Sequence, residues 1–140
     1  MQLVKMTRIL GLLIFACLPA LADSDEKWGA GSNEHLKSYQ QWKEYNRQFD
    51  EHYPKIDRRS GAGRAAYRRA SQAAYGSLEI AEEHANKNHP ALATSFYNLA
   101  LITGGSHSSL AYYLGALAIQ EKLDPNGAFT AKILVGLGDT

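Results

Sequence analysis

Leu78-Glu79-Ile80-Ala81-Glu82-Glu83 recurs in pattern as Leu117-Ala118-Ile119-Gln120-Glu121-Lys122, 39 residues downstream. Each block is followed by a Pro-containing turn and a second matched block. Ala93-Thr94-Ser95-Phe96-Tyr97-Asn98-Leu99 aligns with Ala131-Lys132-Ile133-Leu134-Val135-Gly136-Leu137 at an offset of 38, pairing Ala with Ala, Phe with Leu and Leu with Leu. The apolar spacing in these blocks is helical, and no segment alternates as a strand would. A period near 38 in a helical chain implies hairpins that cannot bury their apolar faces alone and must stack on their neighbours.

The helices follow from the same spacing. Glu34 to Tyr53 carries one aromatic-rich stripe, Leu36, Tyr39, Trp42, Tyr45 and Phe49, with Asn33 as N-cap and Pro54 as terminator. Lys55 to Gly63 reads as a basic loop. From about Arg64 to Asn86 the chain is alanine-rich. Ala66, Ala70, Ala73, Ala74, Ser77, Leu78 and Ala81 share a face there, which predicts a close helix–helix approach. Pro90 suits the first position of a third helix that Gly104-Gly105 ends near Thr103, with Leu92, Phe96, Leu99 and Thr103 along one face. Ser106 caps a fourth helix to about Leu123. That helix has two apolar stripes: Leu110, Tyr113, Leu114 and Leu117, and Tyr112, Ala116, Ile119 and Leu123. Both stripes require covering. A fifth helix, Ala128 to Leu137, presents Phe129, Ile133, Leu134 and Leu137.

His89-Pro90-Ala91-Leu92-Ala93-Thr94-Ser95-Phe96-Tyr97-Asn98-Leu99-Ala100, followed by Tyr112-Tyr113-Leu114-Gly115-Ala116-Leu117-Ala118-Ile119-Gln120-Glu121-Lys122, resembles a tetratricopeptide repeat of the kinesin-light-chain subtype. The resemblance covers about residues 65–138, with a turn at Gly104-Gly105-Ser106 shorter than the subtype's. It implies an all-α fold: a short right-handed α-solenoid of antiparallel helix pairs, about two to two and a half repeats. It also implies a protein or peptide partner held in a concave groove lined by the first helix of each pair. Carried onto this chain, that groove is Thr94, Tyr97, Asn98 and Leu101 on the third helix and Lys132 and Val135 on the fifth. For Asn98 and Tyr97 the residues themselves leave two readings open, a groove contact or a bond to a neighbouring helix.

Ahead of the helices stands an address. Lys5 and Arg8 precede a run of apolar residues from Ile9 to Leu18, then Pro19 and Ala20-Leu21-Ala22. Ten apolar residues make about 15 Å of helix, half of a hydrocarbon core, so residues 1–22 are expected to be a signal peptide cleaved after Ala22. The chain is then periplasmic or secreted. Cys17, the only cysteine, sits in a loose lipobox, and membrane contact is expected only if it is lipidated. Residues 23–33 read as a flexible tether, residues 34–63 as an N-terminal helix and basic loop, and residues 64–138 as the repeats.

A net charge of +1 excludes a bulk polyanion role, and no nucleic-acid partner is expected. The charge is uneven, however. Lys55, Arg58, Arg59, Arg64, Arg68 and Arg69 crowd one segment, where an anionic partner of the cell envelope is the alternative reading. Neither a cofactor nor a metal is expected. The five histidines include no i, i+4 pair, and His84 and His89 read as turn residues. Gly61-Ala62-Gly63 lacks the preceding strand that a dinucleotide loop needs. The chain is therefore read as a non-catalytic binding module. Its last helix has more apolar residues than a solvating cap tolerates, which predicts a homodimer or another partner docked on the C-terminal helix.

Overall fold

The computed structural model describes Trp28 and residues 33–140. The leader, Cys17 and nearly all of the tether expected from the sequence lie outside these residues. Among the described residues the fold is all-α, with no strand and no helix long and apolar enough to cross a membrane. Helix α1 spans Asn33–His52 and runs into a 3-10 turn at Tyr53–Lys55 that contains Pro54. It is followed by α2 (Gly61–His84), α3 (Pro90–Ile102), α4 (His107–Leu123) and α5 (Ala128–Gly138). Each helix packs against the next in the chain.

Local chemistry explains most of the ends. Asp57 Oδ1 accepts from the Arg59 N–H at 2.9 Å, and Ser60 Oγ accepts from the Gly63 N–H at 2.9 Å. The Ser60 cap starts α2 at Gly61, three residues earlier than the expected Arg64, so Gly61-Ala62-Gly63 is helical. Gly63 is required there, because a Cβ would collide with the backbone of Asp57. Ser60→Ala is expected to cost about 1 kcal/mol, read as a lower denaturation midpoint with an unchanged denaturant slope. At α3, His89 Nδ1 accepts from the Ala91 N–H at 3.1 Å and Pro90 fills the first turn. His89 is thus a buried cap and not the solvated turn residue expected. Gly105 takes φ +79 after α3, and Ser106 caps α4 by accepting from the Ser109 N–H.

The small-residue face of α2 is buried as expected: Ala66, Ala70, Ala73, Ala74, Ser77 and Ala81 are all inside. Alanine at these positions lets α2 lie close to its neighbours. Phe49 of α1 and Leu99 and Ile102 of α3 fill the resulting core with Tyr45 and Tyr53 against them. Further along the bundle, Trp28, Leu92 and Ile119 form a second cluster with Tyr39, Trp42, Phe96 and Phe129. A third cluster joins Ala100, Tyr113, Ala116 and Ile133.

Helices α1, α3 and α5 also touch one another in turn. Trp42 Nε1 donates to Ser95 Oγ at 2.9 Å, which ties α1 to α3. The Tyr97 and Phe129 rings meet edge to face with centroids 5.2 Å apart, which ties α3 to α5. Ser109 Oγ donates to the buried Ala100 carbonyl at 2.8 Å and pins α4 on α3.

Three expectations need correction. Leu36, assigned to the aromatic stripe, is 57% exposed, because the stripe turns onto α2 and α3 only from Tyr39 onward. On α4 only the stripe of Ala116 and Ile119, joined by Tyr113, is buried. Leu110, Leu114 and Leu123 stay about half exposed, because no described element lies over their side of α4. Trp28, placed in the tether by sequence, is 1% exposed and packed on Tyr39, Trp42 and His89.

Candidate binding groove

Between α3, α4 and α5 lies an open cavity of about 470 Å³ lined by Tyr97, Leu101, Tyr113, Ala128, Ala131, Lys132, Val135, Gly136 and Asp139. Helical spacing builds it. Tyr97 and Leu101 are four residues apart on α3, and Lys132 and Val135 are three apart on α5, so each pair shares a face. Gly136 forms part of the floor. A Cβ there would meet the Tyr113 ring, so glycine lets α5 settle directly against that tyrosine. The Tyr97 and Tyr113 rings contact at 6.0 Å in an edge-on arrangement.

A second depression of about 290 Å³ is lined by Tyr53, Ile56, Arg58, Tyr67, Leu101 and Ile102. Leu101 borders both hollows, so the two lie side by side, one at the end of α1 and the other at α5. Burial raises the phenol pKa of Tyr97, and the nearby Tyr53 phenol adds to it. Tyr113 is raised in the same way, by burial first and then by Tyr97, Tyr53 and Asp139. Tyr97 and Tyr113 therefore remain neutral hydrogen-bond donors across the physiological range. The walls offer ring faces and a methyl-lined floor, with Lys132 and Asp139 at one side and Arg58 at the far end. Such a surface can take apolar side chains and bond an extended backbone through the phenols.

The six groove residues expected from the sequence divide. Tyr97, Leu101, Lys132 and Val135 come together in the cavity. Asn98 does not. It is 5% exposed, and its Nδ2 donates to Asn46 Oδ1 at 2.8 Å, while Asn46 Nδ2 donates to the Trp42 carbonyl. Of its two readings, the bond to a neighbouring helix is the one realised. Thr94 is also outside the cavity, its hydroxyl donating to the Pro90 carbonyl at 3.1 Å. Sequence reasoning missed Tyr53 and Tyr113. Tyr113 was read as core, and its role depends on Gly136, whose smallness on a helix was the available signal.

The basic set Lys55, Arg58, Arg59, Arg64, Arg68 and Arg69 is exposed throughout. Lys55 reaches Glu51 at 3.7 Å. Arg58 lies over the Tyr67 ring at 5.9 Å, and its carbonyl accepts from Arg64 Nη1 at 3.4 Å. Of the six, only Arg58 lines the groove, while Arg69 lies on the other side of α2, beside Tyr45 and His52. The set is therefore spread over the turn and loop before α2 and over two sides of α2 itself. At the C-terminal end, Ile133 is buried, but Leu134 and Val135 are 51% and 66% exposed. Compared with protein families, with curated proteins and with solved structures, the chain matches none.

Proposed function

We propose that the chain is an exported, non-catalytic binding module of tetratricopeptide type that holds an extended peptide, or a segment of a protein, in the groove between α3 and α5. The observation that carries this reading is convergence. Tyr97 and Leu101 on one helix and Lys132 and Val135 on another are 30 or more residues apart in sequence, and they line one cavity. The sequential packing of helix pairs, with α3 also touching both α1 and α5, supports the repeat architecture. Export rests on the leader pattern of residues 1–22. The exposed Leu134 gives the same end of the molecule a further apolar side chain for a partner to cover.

A displayed library of random peptides, panned on the protein and followed by calorimetry on the selected sequences, tests this function. Tyr97→Ala is expected to weaken the selected peptides about tenfold or more, as removal of a central interface tyrosine does. Thr94→Ala is expected to leave them unchanged. Selected peptides that bind Tyr97→Ala and Val135→Asp as tightly as the parent would rule out this groove as the site.

A further inference from the structure

Helix α2 presents a second surface, separate from the groove. Arg64, Arg68, Gln72, Tyr75, Glu79 and Glu82 are all exposed. They follow one another at steps of four, four, three, four and three residues, which at about 100° per residue keeps them on one face. Glu83 borders that face. The stripe is segregated, with cations in its N-terminal half and carboxylates in its C-terminal half. This is the reverse of what a helix dipole favours, since the N-terminus attracts anions and the C-terminus cations. Arg64, Arg68 and Glu79 make no ion pair with any described residue.

A single copy gains nothing from this arrangement, whereas a second copy laid antiparallel satisfies it at both ends. With a two-fold axis crossing α2 at the level of Ala73 and Ala74, Arg64 faces the partner's Glu82, about five helical turns along the same face, and Arg68 faces the partner's Glu79. Gln72 faces the partner's Tyr75 at the centre, and symmetry repeats each pair. Tyr75, 52% exposed, supplies the ring there, while its hydroxyl bonds Tyr112 of α4. Beside it Glu79, Glu82 and Glu83 border a depression of about 500 Å³, floored in part by Leu78, which gives the incoming arginines a concave seat. A parallel copy would set arginine against arginine. An anionic membrane would attract one half of the stripe and repel the other.

From this matched spacing we infer that the exposed face of α2 is a self-association surface that takes a second copy of the chain, antiparallel, through Arg64–Glu82 and Arg68–Glu79 pairs around Gln72 and Tyr75. None of these residues lines the groove cavity, so this dimer and the peptide site stand or fall separately.

Sedimentation velocity of the chain, as isolated from the cells that make it, provides the test. The protein is expected to be a dimer at low salt and to dissociate progressively toward about 0.5 M salt. Two double variants are expected to associate about tenfold or more weakly, since reversal turns each attraction into a repulsion. One is Arg64→Glu with Arg68→Glu, the other Glu79→Arg with Glu82→Arg. All four positions are exposed, so the helical circular dichroism should not change. Mixed in equal amounts, the two variants should form a heterodimer, because each then meets its opposite charge at every position. A monomer at all salt concentrations, a dimer indifferent to the reversals, or a mixture that fails to associate would each overturn the proposal.

Discussion

Phe49→Ala lowers the unfolding free energy by about 3–5 kcal/mol, the range for truncating a buried aromatic residue. Phe49 is 2% exposed and sits where α1, α2 and α3 meet, against Ala70, Ala73, Ala74, Leu99 and Ile102. Its ring also stacks on Tyr53 at 5.0 Å. The facing residues of α2 are alanines, which have no side-chain length to swing into the space. The cavity should therefore persist, and the cost should fall in the upper part of the range. Equilibrium denaturation by urea measures it. Phe49→Leu, which keeps most of the volume, should recover more than half of the loss. An effect below about 1 kcal/mol for Phe49→Ala would mean that the three helices are not mutually packed at this point.

Trp28→Ala is expected to lower stability by about 3 kcal/mol and to reduce the melting temperature by roughly 10 °C. The indole lies 5.3 Å from the Tyr39 ring, 5.6 Å from the Trp42 ring and 5.4 Å from the His89 ring. It covers the start of α3 where His89 caps the helix, so its removal also exposes that cap to water. Its Nε1 has no hydrogen-bond partner among the described residues. Trp28→Phe therefore gives up volume without giving up a bond, and should cost distinctly less than Trp28→Ala. Calorimetric melting of the two variants separates these effects. If Trp28→Ala melts with the parent, the segment ahead of α1 contributes no packing.

Much of the helical layout was legible in the chain. Ser106, Pro90, Gly104-Gly105 and Pro54 mark ends through chemistry confined to a few adjacent residues, and these ends agree with the elements found. The buried face of α2 was equally plain, because six small residues at helical spacing admit one arrangement. Part of the groove could also be read. Tyr97 and Leu101 share a face by their spacing alone, as do Lys132 and Val135.

What could not be read depends on partners distant in the chain. Asn98 was as suited to a groove as to a neighbour until α1 brought Asn46 within 2.8 Å. Leu110 and Leu114 had the spacing of a core stripe, yet a stripe is buried only if another element lies over it, and both stay about half exposed. The single Trp28 in a polar, glycine-containing stretch offers no period to read. Its burial is decided by a hollow between Tyr39, Trp42 and His89 that exists only once α1 and α3 are side by side.

The sequence by itself determined where helices start and stop and which side of each is apolar, because caps, breakers and 3.6-residue spacing act within a few residues of chain. Only the tertiary structure decided which apolar sides are covered and that Leu101 borders two hollows. Only it decided that Asn98 bonds within the core, since those outcomes depend on distances between helices that no local rule contains.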